Sequence, residues 1–366
     1  MKALALIEGL DHVCYRYRIE AFAWPLAERG WTLEAVPLRR NALWRSGQLW
    51  AARQADVVIL QRKLLPLWQL WTLRRNARCL IYDFDDAVFQ RDSYSGKDPT
   101  SWQRAARFRA TTSAADAVTA GNQCLATQAA AHVESDRLCV IPTCVEPRQY
   151  PLARHHRVGA AAKLVWIGQR RTLSSLERAE PQLAAAAGGL PGLELRVICD
   201  AGADLHGVRV VPRRWASATE AHELADGDIG INWLPDDQWS RGKCGLKVLQ
   251  YMAAGLPVVA NPIGMNCEMV IHGRTGLLAS TPGEWAAAIA RLANDPQLRR
   301  SMGRAGRRLV ERRFSVARWG AEFAAVIASV AGGRAKGKQP FRATPAEPRH
   351  EIEDLATCPV PGGWPP

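Results

Sequence analysis

The sequence predicts an α/β protein made of two doubly wound parallel-sheet domains that face each other across a cleft. The chain has 366 residues, 48% of them hydrophobic, which leaves room for two domains at roughly 150 residues each and is too apolar for a disordered protein. Short apolar, β-branched runs alternate with longer helical patterns as far as residue 280, the order expected when parallel strands are joined by crossover helices. The alternation breaks once, at the polar, basic run Arg154-His155-His156-Arg157, and then starts afresh.

In chain order, strands are expected at 3–7, 33–37, 56–60, 78–83, 116–120 and 137–141. Most are continuous apolar runs, such as Ala3-Leu4-Ala5-Leu6-Ile7, and such runs suit strands covered on both faces. They define a first domain over 1–157. The second series opens with Lys163-Leu164-Val165-Trp166-Ile167-Gly168 and continues at 193–199, 208–211, 228–232, 257–260 and 276–279, giving a domain over 158–314. Helix starts are marked by Thr172 before Leu173, Asp295-Pro296 before Gln297 and Ser315 before Val316, where a side-chain oxygen accepts from a free backbone N–H. The helix over 315–331 is expected to return to the first domain. Residues 332–366 hold seven Pro and five Gly with few periodic apolar positions, a composition that cannot offset the entropy of ordering, so a disordered tail is expected.

The net charge is +13, which raises the question of a nucleic-acid or anionic-membrane partner. No zinc finger or aromatic ribonucleoprotein motif is present, so nucleic acid is not an expected partner. From Arg299 to Arg318 there are eight Arg and one Glu. Arg300, Arg304, Arg308 and Arg312 recur every four residues while Leu298, Met302, Leu309 and Phe314 supply the apolar positions. That pattern is an amphipathic helix with an Arg face, either a solvated surface or a docking surface for anionic lipid or an acidic acceptor. The nine cysteines are odd in number and show no C-x-x-C pair, which argues for reduced core thiols and against a disulfide framework or structural zinc. The apolar runs are far shorter than the ~20 residues of a membrane helix, and 3–7 is too short for a signal peptide. A cytoplasmic chain is expected, with the Arg face as its candidate contact with the inner face of the membrane.

The segment richest in chemistry runs from Trp239 through Ser240-Arg241-Gly242-Lys243-Cys244-Gly245-Leu246-Lys247 to Ala260. It reads as a loop, a helix over 244–254 stopped by Gly255, and a buried strand opening at Pro257. A helix start offers unpaired N–H groups, and Arg241, Lys243 and Lys247 surround this one, so it is an anion pocket suited to a diphosphate. In the next turn, Asn261-Pro262-Ile263-Gly264-Met265-Asn266-Cys267-Glu268, Gly264 allows close backbone approach and Met265 and Asn266 open another helix. Glu268 either complements that helix dipole or accepts from sugar hydroxyls.

The run from Gly242 to Ala279 resembles the donor-binding region of family 4 glycosyltransferases, which have two Rossmann-like domains in the GT-B arrangement. That family's helix carries a Glu-x7-Glu pair ending in Leu-Glu-x-Met-Ala, followed by a Gly-x-Pro-Val-Val-Ala strand. Here Leu249-Gln250-Tyr251-Met252-Ala253 and Gly255-Leu256-Pro257-Val258-Val259-Ala260 stand in those places. Gln250 and Gly242 replace the two carboxylates; Gln250 can still hydrogen-bond a ribose hydroxyl. Val57-Val58-Ile59-Leu60-Gln61-Arg62, Tyr82-Asp83-Phe84-Asp85-Asp86-Ala87, Ala120-Gly121-Asn122 and Ile141-Pro142-Thr143-Cys144-Val145 resemble strand-end segments of the family's acceptor domain.

The resemblance implies transfer of a sugar from a nucleotide-diphosphate sugar to a glycan or lipid-linked acceptor hydroxyl, with retention of configuration, in cell-envelope polysaccharide or glycolipid synthesis. It implies no resident cofactor and no metal, with Lys243, Lys247 and Asp86 as catalytic residues. Gly168-Gln169-Arg170-Arg171 stands where relatives grip the diphosphate, so Arg170 or Arg171 would serve. Pro212-Arg213-Arg214-Trp215 stands where relatives place the base, with Trp215 either stacking on it or packing in the core. Gln250, Gly264, Met265, Asn266 and Glu268 complete the expected donor site. Arg16-Tyr17-Arg18 replaces a Gly-rich turn; Arg16 and Arg18 either face the phosphates or are solvated. Arg62, Asp85 and Asp86 would sit on the acceptor side, the carboxylates capping loops, binding a metal or positioning the acceptor. Trp44, Trp50, Trp68 and Trp71 either line an acceptor groove or pack. With both carboxylates of the pair missing, a non-catalytic nucleotide-sugar binding module and a nucleotide-sugar epimerase of the same shape remain as alternatives.

Overall fold

The computed structural model describes residues 1–39, 41–94 and 96–333. All twelve expected strands form. In the first domain β1 (Lys2–Ile7), β2 (Thr32–Pro37), β3 (Val57–Gln61), β4 (Leu80–Phe84), β5 (Ala117–Ala120) and β6 (Leu138–Val140) make a parallel sheet in the order β2-β1-β3-β4-β5-β6. In the second, β7 (Lys163–Ile167), β8 (Glu194–Cys199), β9 (Arg209–Arg214), β10 (Ile229–Asn232), β11 (Val258–Ala260) and β12 (Gly276–Leu278) follow the order β12-β11-β10-β7-β8-β9. Each order reverses direction once, beside β1 and beside β7, and such switch points open a crevice at the carboxyl ends of the strands.

The continuous apolar runs are explained by burial on both faces. Along β1, Leu4 and Leu6 enter one core layer with Leu60, Leu80 and Tyr82, while Ala3, Ala5 and Ile7 enter another with Ile59, Ile81 and Phe323. β3 and β4 are buried at every position. Each fully buried Leu, Ile or Val contributes roughly 1.5–3 kcal/mol. β7 divides in the same way, Leu164 and Trp166 to one layer and Val165 and Ile167 to the other.

The chain crosses between domains twice, and the crossings pair with each other. Val145 N–H donates to the Phe314 carbonyl at 3.0 Å, and Val316 N–H donates to the Val145 carbonyl at 3.2 Å. Beyond the second crossing, helix Val316–Gly333 lies on the first sheet, where Phe323 stacks on Phe22 with ring centroids 4.6 Å apart. The helix therefore includes residues 332 and 333, which the sequence placed in the tail; the rest of the expected tail, 334–366, lies outside the described residues.

Helix Pro296–Arg313 narrows the expected Arg face. Arg299 is fully buried and donates to the carbonyls of Leu292, Ala293 and Arg157. Arg307 donates to the carbonyls of Tyr150 and Ala253. These two tie the helix to the domain, and Arg300, Arg304, Arg308 and Arg312 remain exposed. The same helix approaches Gly255 and Met252 closely through Gly303 and Gly306, where a Cβ would strike the Gly255 carbonyl and the Met252 side chain.

Candidate active site

The two sheets point their carboxyl ends at a shared cleft of about 1050 Å³. Helix Leu246–Ala253 starts at its edge, two residues later than the sequence pattern suggested, because Gly245 takes φ +67° and breaks the helical path. A side chain at 245 would also meet Met269 Sδ at 2.8 Å. No side chain caps this helix, and Gly245, Leu246 and Lys247 line the cleft. Its first-turn N–H groups are thus placed for an anion.

Two lysines flank that start. The Lys243 ammonium donates to Tyr94 Oη at 3.2 Å, and this hydroxyl shares a hydrogen bond with Ser175 Oγ at 2.9 Å. Lys247 lies 4.4 Å from the centroid of the Trp166 ring. Burial, reinforced by the Lys243 charge, pushes its pKa down to about 7. An anion entering here would meet both lysines, and its charge would favour the ammonium form of Lys247 that burial disfavours. Gly168 follows β7 because a Cβ there would strike the Trp166 ring. Arg170 N–H donates to Asp200 Oδ1 at 2.8 Å, and the side chains of Arg170 and Arg171 are exposed at the cleft.

On the opposite wall Arg62 takes φ +57°. Its Nη1 donates to Asp85 Oδ1 at 2.8 Å and to Asp86 Oδ2 at 2.7 Å. Burial alone would raise both carboxyls. At Asp85 the Arg62 and Arg18 guanidiniums reverse it and the pKa falls; at Asp86 the Asp85 charge adds to burial and the pKa rises.

The walls are bound by a polar network centred on Glu220, which is 2% exposed. Arg16 pairs with it at 2.6 Å, Tyr17 Oη donates to it at 2.8 Å, and Trp215 Nε1 donates to it at 2.8 Å. Gln250 Nε2 donates to Tyr17 Oη at 3.0 Å. Lower down, Asn122 caps helix Gln123–Ala130 through its Oδ1 and, through Nδ2, donates to the Gly242 carbonyl at 2.9 Å. A Cβ on Gly242 would come within 3.2 Å of Leu125 and Ala87.

The cleft therefore gathers Lys243, Lys247, Gly168, Arg170, Arg171 and Gln250 with Arg16, Arg62, Asp85 and Asp86. Other expected residues are elsewhere. Arg18 is 1% exposed and pairs with Asp83 at 2.5 Å beneath the cleft floor, so it faces no phosphate. Arg213 lies exposed on edge strand β9 and pairs with Glu223 at 3.5 Å. Gly264, Met265, Asn266 and Glu268 do not line the cleft. Gly264 takes φ +55° with no room for a side chain against the Ser240 and Arg241 backbone. Met265 is a core residue, Asn266 is buried and accepts from Asn232 Nδ2 at 2.8 Å, and Glu268 is exposed outward. Trp215 is not core; it is 37% exposed and lines the cleft. Sequence reasoning missed Glu220 and Tyr94. An acid in a helix's first turn reads as a dipole partner, and no local signal marked Tyr94.

Residues 148–295 match the model of the glycosyl transferases group 1 family. A stretch of 63 residues is 44% identical to D-inositol 3-phosphate glycosyltransferase of Pseudarthrobacter chlorophenolicus, 17% of this chain and 15% of that protein. The same enzyme of Paenarthrobacter aurescens is 42% identical over 62 residues, again 15% of its length. In fold, sucrose-phosphate synthase of Thermosynechococcus elongatus is similar with a TM-score of 0.68 at 16% identity, over 90% of this chain and 98% of that one. Anabaena HepE in complex with UDP and glucose gives 0.65 at 17% identity, over 90% and 100%. Residues 148–295 thus match the glycosyl transferases group 1 model, and the two sheets have the two-domain fold of these GT-B structures.

Proposed function

We propose that the protein is a glycosyltransferase that moves a sugar from a nucleotide-diphosphate sugar to an acceptor hydroxyl, with retention of configuration, on a glycan or lipid-linked acceptor of the cell envelope. The observation that carries this reading is the uncapped start of helix Leu246–Ala253 opening into the interdomain cleft between Lys243 and Lys247. As the sugar–phosphate bond breaks, negative charge builds on the leaving diphosphate. Preorganised N–H groups and cations around that oxygen stabilise the transition state more than the ground state. Arg170 and Arg171 stand at the mouth to meet the same diphosphate. Asp86, its pKa raised, accepts from the acceptor hydroxyl and holds its oxygen toward the sugar. A new C–O bond forms as the C–O bond to phosphate breaks, and the hydroxyl proton passes to the leaving phosphate oxygen. Solved structures of Anabaena HepE contain UDP with glucose and UDP-glucose, which supports a nucleotide-sugar donor here.

A second reading, a nucleotide-sugar binding module without transfer, draws on Gly242 and Gln250. Gln250 is engaged by Tyr17, and the space a side chain at 242 would need is taken by Leu125 and Ala87. A panel of nucleotide sugars assayed for nucleoside diphosphate release separates the readings. Release, by transfer or slow hydrolysis, supports the enzyme; binding without release supports the module; isomerised sugar supports an epimerase. Lys243→Ala is expected to lower turnover by about 100-fold with an unchanged melting temperature. Unchanged turnover in that variant sinks the assignment of Lys243.

A further inference from the structure

Of the exposed tryptophans of the first domain, Trp24 and Trp102 stand on separate helices, and four others lie on two neighbouring ones. Helices Ala42–Ala51 and Leu67–Asn76 pack side by side, bridged by Arg45 Nη1 donating to Gln69 Oε1 at 3.0 Å. Trp44 is 67% exposed, Trp50 51%, Leu67 57%, Trp68 53% and Trp71 61%. Leu67, Trp68, Trp71 and Arg75 fall within about 100° of arc on their helix. None of the four tryptophans packs in the core, and none lines the cleft. Indole rings left in water need a reason.

The charge around them indicates what covers them. Arg39 lies over Trp44 at 5.5 Å, Arg53 over Trp50 at 3.2 Å and Arg75 over Trp71 at 4.6 Å. From Arg39 to Arg78 the chain has nine basic residues and one acid, Asp56; Arg62, Lys63, Arg74 and Arg78 pair with carboxylates, and Arg39, Arg53 and Arg75 are the cations that lie on the indoles. Asp56 is held at the amino end of the sheet, where its Oδ2 accepts from Lys2 N–H at 2.8 Å. An anionic lipid surface suits both the indoles and the three guanidiniums stacked on them. Indoles prefer the headgroup region, and Arg stacked on an indole keeps its charge at the phosphate level. The Arg face of helix Pro296–Arg313 has cations but no exposed aromatic anchor. No helix among the described residues is long and apolar enough to cross a membrane, so contact here would be in the plane of the interface.

We infer that the Trp–Arg face of helices Ala42–Ala51 and Leu67–Asn76 docks on an anionic phospholipid bilayer. The face adjoins the cleft: Lys63 and Leu64, which line the cleft, lead directly into helix Leu67–Asn76. A bilayer seated there brings its headgroups to the cleft mouth. Delivery of a lipid-linked acceptor by this route rests on the transfer reading; the docking does not.

The test is flotation of the full chain with vesicles of phosphatidylcholine alone or with phosphatidylglycerol added. The wild-type chain floats with the anionic vesicles. Replacing the anchors, W44S/W68S/W71S, lowers the bound fraction by at least about tenfold, and R53E/R75E lowers it similarly, both with the wild-type melting temperature. R300E/R304E/R308E/R312E keeps binding. The inference is overturned if the wild-type chain binds neither vesicle, if the Trp variant still binds, or if only the Arg300-to-Arg312 variant loses binding. It is equally overturned if light scattering shows a dimer that the Trp replacements dissolve, since a second copy would then be what covers the face.

Discussion

Lys247 gives the donor site a pH signature that can be worked out in advance. Its pKa is pushed down to about 7 by burial and by Lys243. A bound diphosphate favours the ammonium, so binding above that pH takes up a proton. If the pKa in the complex lies well above the working range, the apparent Kd scales as one plus the ratio of neutral to charged Lys247. Between pH 6.5 and 8.5 that ratio weakens binding about 25-fold, or roughly 1.9 kcal/mol. Isothermal titration with UDP-glucose across this range, in two buffers of different ionisation enthalpy, measures both the Kd and the proton count. The nucleotide sugar is the right probe because the terminal phosphate of a free nucleoside diphosphate itself titrates near neutrality. Lys247→Arg, charged throughout, should flatten the profile to within about twofold and abolish the uptake. The unliganded protein shows the converse. Its folded-state pKa lies below the ordinary 10.5, so the unfolded chain holds a proton that the folded site has released. Lysine therefore costs stability below pH 7 and progressively less as pH rises to 10.5, and Lys247→Met should melt higher than wild type at pH 6.5 with the gap closing at high pH. A pH-independent Kd with no proton uptake in the wild-type protein would refute the placement of Lys247 against the diphosphate.

Two further predictions concern what holds the cleft in place. Arg18→Met leaves Asp83 buried with Thr119 as its remaining side-chain donor, and loss of one partner of a buried pair costs about 3–5 kcal/mol; urea unfolding should show it, and a change under 1 kcal/mol would mean that the pair is not buried as described. Gly303→Ala forces a Cβ into the Gly255 carbonyl, so the helix must move at a cost of about 1–3 kcal/mol, whereas Gly9→Ala, with nothing within 4 Å, should be near neutral by the same assay.

Much of the fold was legible in the sequence because parallel strands covered on both faces leave unbroken apolar runs, as in residues 57–60 and 80–82. The helix start at Lys243 to Lys247 was legible for a similar reason: a Gly-containing loop, three cations and a Gly255 stop lie within one short segment. Arg16 and Arg18 show where reading fails. Two residues apart, they enter the site and the floor beneath it, Arg16 reaching Glu220 and Arg18 reaching Asp83. Nothing local separates them, since each choice depends on a carboxylate brought from elsewhere in the chain. Gly264 to Glu268 misled in the opposite way. Their turn chemistry was read correctly, yet that turn packs against Ser240 and Arg241 and leaves their side chains off the cleft lining.

By itself the sequence determined the two α/β domains, their strands and the cationic helix start, because periodicity and turn chemistry are local and are written in consecutive residues. Only the tertiary structure decided which charges face each other across the cleft, that Glu220 and Asn122 bind its walls, and that the tryptophans of helices Ala42–Ala51 and Leu67–Asn76 stay outside every core. Those outcomes depend on pairs far apart in the chain, and burial or exposure there is set by which surfaces the two sheets bring together.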